Sequence, residues 1–326
     1  MTYPRVLCLG EILFDCLADK PGVSLEEVES WTAYPGGAPA NVACALVKLG
    51  TAAGFIGAVG GGDELGNSLV QVLQEIGVDI TGVQRHPTAP TRQVYVLRNA
   101  AGDRSFAGFG KLDTADFADT RLQAAQIPEV LFQNAEFLAI GTLELAYPES
   151  REAIERAIEL AEKYDVKIIV DINWRPVFWP NPDAAKPRII ELLKKVDFVK
   201  LSDEEAEWLF ATTDAGAITY RLDSVEGVLV TAGEKGCSYC LSQNEGKIPA
   251  FTVDVEDTTG AGDGFTAGFV RQLCKQGIKK LADPEIAKKI VTYASAVGAM
   301  TVMKPGAITA QPTAAEVEAF LYLYKN

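Results

Sequence analysis

The sequence predicts an α/β protein: a mainly parallel central sheet between two helical layers, with a small β-sheet lid beside it. Three observations predict this. Apolar, strand-like runs alternate with helical patterns along most of the 326 residues, the order expected of parallel strands joined by crossover helices. Two segments, about 14–37 and 92–110, break the alternation and read as strands and turns without helices. Apolar residues make up 48 %, enough to fill a large core without disulfide or metal staples. The expectation is one domain over 1–326, with a lid inserted twice in sequence and joined in space over a cleft.

The elements follow in order. RVLCLG at 5–10 is short, apolar and ends in Gly, as a buried strand does. APANVACALVKLG at 38–50 has helical spacing, with Gly50 as its stop. AAGFIGAVG at 52–60 is a strand, and DELGNSLVQVLQEIGV at 63–78 is an amphipathic helix for Asp63 to cap. In the second lid segment NAAGD reads as a hairpin tip. A strand at 135–141, a helix at 148–165 and a strand at 166–173 continue the alternation. The helix at 183–196 carries an internal Pro187, and a strand at 197–202, a helix at 203–211 and a strand at 227–233 follow. Helical patterns at 262–276, 284–300 and 313–324 close the chain.

The formal net charge of −14 argues against broad nucleic-acid or anionic-membrane surfaces, since both need basic stripes. No apolar run approaches the ~20 residues of a membrane span. The stretch MTYPRVLCLGE runs straight into strand-like sequence with no signal-peptide layout, so a cytoplasmic setting is expected. Six cysteines sit mostly in strand or helix patterns and read as buried free thiols. Cys237 and Cys240 form a CxxC, but residues three apart in a strand point to opposite faces. No second pair accompanies them, which sets zinc aside. The one histidine, His86, lies in the Pro-rich RHPTAPT and reads as a surface-loop residue. Chemistry then falls to carboxylates, lysines and arginines.

DTTGAGDGFTAGF at 257–269 holds the sharpest signal. A helix N-terminus offers unpaired N–H groups and a partial positive charge, and Gly260, Ala261 and Gly262 let a phosphate approach them closely. Asp263 stands at the head of the same helix, where a carboxylate is expected to keep a low pKa and stay ionised. It reads either as a helix cap or as a base facing a hydroxyl beside the phosphoryl group. GxxxxGK[ST] does not occur, and GAVGGGDELG fails the GxGxxG spacing. YPGGAPANVA at 34–43 is a second Gly-rich site: Gly36 and Gly37 admit a ligand to the backbone and Asn41 offers an amide, with a lid hinge as the alternative. Asp15, just after the first strand, suits two sugar hydroxyls.

Together these stretches resemble the ribokinase-like carbohydrate kinases, the PfkB family. GGAPANVACALVKLG followed by Gly60 fits the N-terminal signature, and DTTGAGDGFTAGFV fits the C-terminal one. VTAGEKG and KPGAITAQPT fall between and after them in the expected order, so the resemblance covers essentially the whole chain. DINWRPVFW at 171–179 is most similar to the fructokinase branch, with much shared by ketodeoxygluconate and aminoimidazole riboside kinases. The resemblance implies a ribokinase-like fold and transfer from ATP to a sugar, fructose first. It implies Asp263 as base and Gly260, Ala261 and Gly262 as anion hole, with Arg175 meeting the phosphoryl group or a sugar oxygen. Asp15, Gly36, Gly37 and Asn41 resemble the sugar set, joined from the lid by Arg104 and Phe106. Thr231, Gly233 and Gly236 match a TxGxxG turn along ATP, with Lys200 and Gly262 in the same nucleotide set. Glu205 resembles an acid that meets Mg²⁺ through water, although Ser202 stands where many members have Asn. Asp257, Thr259, Val302 and Gly306 resemble a monovalent-cation loop, so K⁺ is a further expectation. A homodimer through the lid is a further expectation, because a lid sheet with an exposed apolar face can pair with a second subunit. A family member without catalysis and a nicotinamide-dependent oxidoreductase are the rival classes; the intact Asp263 turn and the failed fingerprint speak against them.

Overall fold

The computed structural model describes residues 3–99 and 104–324, without the side chain of Arg104. The hairpin tip expected at NAAGD falls mainly on 100–103, outside the described residues, as does the expected reach of the Arg104 side chain. In chain order the strands are β1 (Val6–Leu9), β2 (Leu13–Ala18), β3 (Trp31–Gly36), β4 (Ala53–Gly60), β5 (Asp79–His86), β6 (Gln93–Arg98), β7 (Arg104–Gly108), β8 (Phe137–Ile140), β9 (Lys167–Asp171), β10 (Phe198–Ser202), β11 (Gly227–Thr231), β12 (Cys237–Leu241) and β13 (Asn244–Ile248). The helices are α1 (Ala38–Lys48), α2 (Glu64–Ile76), α3 (Pro148–Tyr164), α4 (Ala185–Leu193), α5 (Asp203–Phe210), α6 (Ala215–Leu222), α7 (Ala261–Gln276), α8 (Pro284–Thr301) and α9 (Ala314–Leu323).

Nine strands form one sheet in the order β13-β12-β11-β10-β9-β8-β1-β4-β5. Pairings from β5 through to β11 are all parallel, and only the β11–β12 and β12–β13 pairings are antiparallel. Side-chain alternation divides the strands between two apolar layers. Val6 and Cys8 pack with α1, α2, α7 and α8, whereas Leu7 and Leu9 pack with α3, α4 and α5. Cys237 and Cys240 fall in opposite layers, as the strand reading requires. The two lid segments pair into a second sheet, β3-β2-β6-β7, and the parallel β2–β6 contact joins them.

Helix ends follow their sequence signals. Asp63 accepts from the Gly66 N–H at 2.5 Å to cap α2, and Gly77 ends it with φ +97°. Pro187, expected inside a helix, lies in the first turn of α4, because residues 182–184 form a separate 3-10 turn. There a missing N–H costs nothing. His86 departs from its loop reading: it ends strand β5, and its Nδ1 accepts from the Ala89 N–H at 2.8 Å, pinning the turn that follows. No described helix is long and apolar enough to cross a membrane.

Candidate active site

Four parallel strands build the floor. β1 leads into Glu11, β8 into Gly141 and Thr142, β9 ends on Asp171 ahead of Asn173 and Arg175, and β10 carries Lys200 and Ser202. Strand order reverses at β1, between β8 and β4, and the C-terminal side of such a reversal is the ligand crevice of open α/β sheets. The crevice is a cavity of 570 Å³ whose walls include Asp15, Gly37, Asn41, Arg175, Lys200, Glu205, Gly260, Gly262 and Asp263. That volume suits a small molecule.

Gly260 caps α7 from the left-handed region at φ +80°, and a Cβ there would stand 2.9 Å from the Ala307 Cα, so only glycine fits. No side chain caps this helix. Its first intrahelical bond runs from the Gly264 N–H to the Gly260 carbonyl at 2.8 Å, and the Ala261 N–H turns back toward the Thr258 carbonyl at 3.4 Å. Asp263 is not the cap. Its Oδ2 accepts from the Asn41 Nδ2 at 2.8 Å, tying α7 to α1, and only 8 % of the residue is exposed. The expectation of a low pKa is overturned. Burial, with Asp171 adding repulsion, raises the Asp263 carboxyl to about 6, against the Asn41 hydrogen bond, Lys200 and Arg175. Desolvation outweighs the helix dipole because the carboxylate is turned inward.

Lys200 is also buried, and its Nζ lies 3.0 Å from each oxygen of Asp171. Thr266 Oγ1 donates to the same Asp171 at 3.1 Å. A Cβ on Gly262 would come within 2.8 Å of the Lys200 Nζ, so this ammonium sits directly beneath the α7 turn. Asp171 was not among the residues the sequence singled out. Its signal was there: a carboxylate closing the apolar run IIV at the C-terminal end of a parallel strand. Glu11 was missed in the same way.

Glu205 forms a capping box with Ser202 at the start of α5. Its Oε2 accepts from the Ser202 N–H at 2.8 Å and its Oε1 from the Trp174 N–H at 2.7 Å. Serine in place of asparagine is therefore a helix cap here. Arg175 is exposed at the mouth, where its Nη1 donates to the Trp174 carbonyl at 3.0 Å.

On the lid side Asp15 lines the cavity from β2, and a Cβ on Gly36 would meet its Oδ2 at 2.7 Å. Gly37 caps α1 with φ +105°, pressed against the Glu11 carbonyl and the Ile12 Cα. Phe106 lines neither cavity described here; its ring packs edge-on against Phe109 at 5.0 Å. Thr231, Gly233 and Gly236 lie outside the walls of the 570 Å³ cavity, one strand over from Ser202, which pairs in register with Thr231. Asp257, Thr259, Val302 and Gly306 do converge. Asp257 Oδ1 accepts from the Thr259 N–H at 3.0 Å, its Oδ2 accepts from the Gly306 N–H at 3.1 Å, and its own N–H donates to the Val302 carbonyl at 3.2 Å. With Asp15 and Tyr34 this loop also walls a second cavity of 730 Å³. The arrangement sets backbone donors and a buried carboxylate side by side, over a buried ammonium.

Comparison with known proteins gives a consistent picture. The family described as pfkB family carbohydrate kinase matches residues 4–314. A probable fructokinase-5 of Arabidopsis thaliana is 35 % identical over 318 residues, 97 % of this chain and 96 % of the relative. The crystal structure of a fructokinase with bound ATP from Xylella fastidiosa superposes with a TM-score of 0.89 at 30 % identity, covering 98 % of this chain and 99 % of the other. A double-mutant fructokinase from Vibrio cholerae O395, in a fructose, ADP and potassium ion bound form, superposes with a TM-score of 0.84 at 27 % identity, covering 98 % and 99 %.

Proposed function

We propose, since the chain belongs to the pfkB family of carbohydrate kinases, that it phosphorylates D-fructose with ATP, giving D-fructose 6-phosphate and ADP. Asp263 is the base. It accepts the proton of the primary sugar hydroxyl while that oxygen attacks the γ-phosphorus and the bond to the leaving ADP oxygen breaks. Backbone N–H groups of the Gly260–Ala261–Gly262 turn steady charge on the phosphoryl oxygens. Asp15, Gly36, Gly37 and Asn41 hold the sugar, Arg104 and Phe106 come to it only as the lid closes, and Arg175 meets the phosphoryl group or a sugar oxygen. The nucleotide lies along Thr231, Gly233 and Gly236, with Lys200 and Gly262 at its phosphate end. Closure of the lid excludes water, the competing acceptor. The observation that carries the reading is Asp263, buried beside the uncapped start of α7 and held by Asn41 at 2.8 Å. Fructose as acceptor rests on the fructokinase relatives.

Five carboxylates line the cleft, Glu11, Asp15, Glu204, Glu205 and Asp263, against Arg175 and Lys200. The phosphates of ATP therefore need further positive charge, which Mg²⁺ supplies by neutralising their oxygens. Glu205 fits such an ion through water, because both its oxygens already accept backbone N–H groups. The converging loop of Asp257, Thr259, Val302 and Gly306 supports a K⁺ site, as does the potassium-bound relative. Six free thiols support a cytoplasmic setting. The open edges β3 and β7 of the lid sheet support a homodimer through it, which light scattering tests.

A coupled ADP-release assay against fructose, ribose, ketodeoxygluconate, adenosine and aminoimidazole riboside tests the substrate. Fructose is expected to give the highest kcat/KM; higher values for any other acceptor would reassign it. Turnover retained in Asp263→Asn would remove the base.

A further inference from the structure

At the seam between β1 and β8 lie two buried carboxylates with almost no partners. Glu11 is 6 % exposed; its Oε1 accepts from the Ala38 N–H at 2.8 Å and its Oε2 has no partner. Glu144, in the 3-10 turn after β8, is 2 % exposed, and neither carboxylate oxygen has a partner. They approach the ends of the two paired strands β1 and β8. A Cβ on Gly10 would stand 3.2 Å from each Glu144 oxygen, and a Cβ on Gly141 would stand 4.0 Å from Glu11 Oε2. The charged groups facing the pair are Asp119 and Arg92 behind it and Asp263 across the cleft. Arg92 is already committed: it donates to Asp119 at 2.6 and 3.1 Å and to Thr114. Among the described residues no cation is left to balance two buried negative charges, and such a pair cannot stay doubly ionised. Among the described residues no group of three His, Cys, Asp or Glu side chains is placed to hold a metal ion. A proton is the remaining counter-charge.

Glu11 also has a specific task. Helix α1 is capped by Gly37, with no side-chain cap and no acidic residue in its first turn. Pro39 contributes no N–H, and the first intrahelical bond is from the Asn41 N–H to the Gly37 carbonyl at 2.8 Å. Glu11, from the connection between β1 and β2, is thus the anion that satisfies the first amide of α1 and opposes its dipole. That helix carries Asn41, which holds Asp263.

We propose that Glu144 carries a proton for the pair, leaving Glu11 as the carboxylate that caps α1 and so positions Asn41 and Asp263 for transfer. Glu11 is a positioning residue, not a catalytic one. Its consequence for transfer rests on the kinase reading above; the protonation itself does not. Burial works in the same direction, pushing Glu11 up to about 7 and Glu144 well above the usual carboxylate range, the latter also through repulsion by Glu11.

Infrared difference spectra of the intact protein in D₂O, wild type minus Glu144→Gln, test the protonation without turnover. The stretch of a protonated carboxyl is expected in the wild type at neutral pH and lost in the variant. Its absence from the wild type would overturn the pair, as would its loss on adding Mg²⁺ or K⁺ alone, which would mark a cation site. Kinetics test the positioning. Glu11→Ala is expected to raise the sugar KM and lower kcat, together by about tenfold, the scale of one lost charged cap. Nucleotide KM should hold, and Glu11→Gln, which keeps an acceptor, should recover most of the loss. In Glu144→Gln the rise of sugar KM on acidification should stay at the wild-type pH, because Glu144 is already neutral there; a move to lower pH would mean that Glu144 is charged beside Glu11 and would overturn the pair. Sugar KM and kcat within twofold of wild type in Glu11→Ala would remove the positioning role.

Discussion

Replacing Asp263 by Asn should make the folded protein more stable while removing its turnover. The structure sets the size of the effect. Burial and Asp171 raise the carboxyl from 3.8 to about 6, so keeping it ionised in the fold costs about 3 kcal/mol at ~1.4 kcal/mol per pH unit. Asparagine has nearly the same shape and keeps an oxygen for the Asn41 amide. The sign follows from the direction of the shift. Below pH 4 Asp263 is protonated in both folded and unfolded chains and the wild type suffers no penalty. Between pH 4 and 6 the penalty grows, and above pH 6 it is complete. Urea denaturation of both proteins at a series of pH values should show Asp263→Asn more stable by about 3 kcal/mol at pH 8. The gap should close as pH falls through 6 toward 4. Wild-type kcat should fall over the same range as the base is protonated, with an acid limb near pH 6. An asparagine variant no more stable at pH 8, or a gap that ignores pH, would refute the idea that the base is held ionised against its surroundings.

Three further outcomes follow from the same geometry. Arg92→Met should cost about 3–5 kcal/mol in denaturation, because it strands Asp119 buried without its cation, and Arg92→Met combined with Asp119→Asn should recover part of that. Gly36→Ala should raise the sugar KM by about tenfold or more, with the melting temperature nearly unchanged, because the new Cβ meets Asp15 Oδ2 at 2.7 Å on a wall of the cleft. Lys200→Met should move the acid limb of kcat to higher pH, since Lys200 holds the Asp263 carboxyl down; an unmoved limb would mean the ammonium is not felt at the base.

Much of this was legible in the sequence because the signals were local. Asp63, Gly77, Thr313 and Glu316 mark helix ends through bonds spanning three or four residues, and the helices stop where those residues sit. The Gly-rich turns at 36–37 and 260–262 announced close approach, and the structure gives the reason at Gly37 and Gly260 as positive φ against packed backbone. Strand β5 and helix α6 escaped notice: DITGVQRH alternates weakly and AGAITYRL is short. What the sequence hid was long-range. Asp171 and Lys200 lie 29 residues apart, and only the β9–β10 register makes them a pair. The ionisation of Asp263 misled for the same reason. Its place in the helix suggests a low pKa, whereas its burial beneath Asn41 and near Asp171 is a property of three separate segments.

Two helix N-termini, α1 and α7, face one cleft, and their caps differ. Both begin at a glycine with positive φ, and neither has a side-chain cap of its own. Both present the same partial positive charge. At α1 the chain itself supplies an anion, since Glu11 accepts from the first amide at 2.8 Å. At α7 the only acid in the first turn is Asp263, and it is turned aside to the Asn41 amide. The α7 terminus therefore keeps its partial charge open to the cleft, where the proposed function puts the phosphoryl group, while that of α1 is neutralised. Exchanging these roles needs only one side chain to move. If Glu11 let go of Ala38, both termini would turn an uncompensated partial charge to the cleft and Asn41 would lose its fixed approach to Asp263. The division of labour between the two helices thus depends on a carboxylate outside both of them.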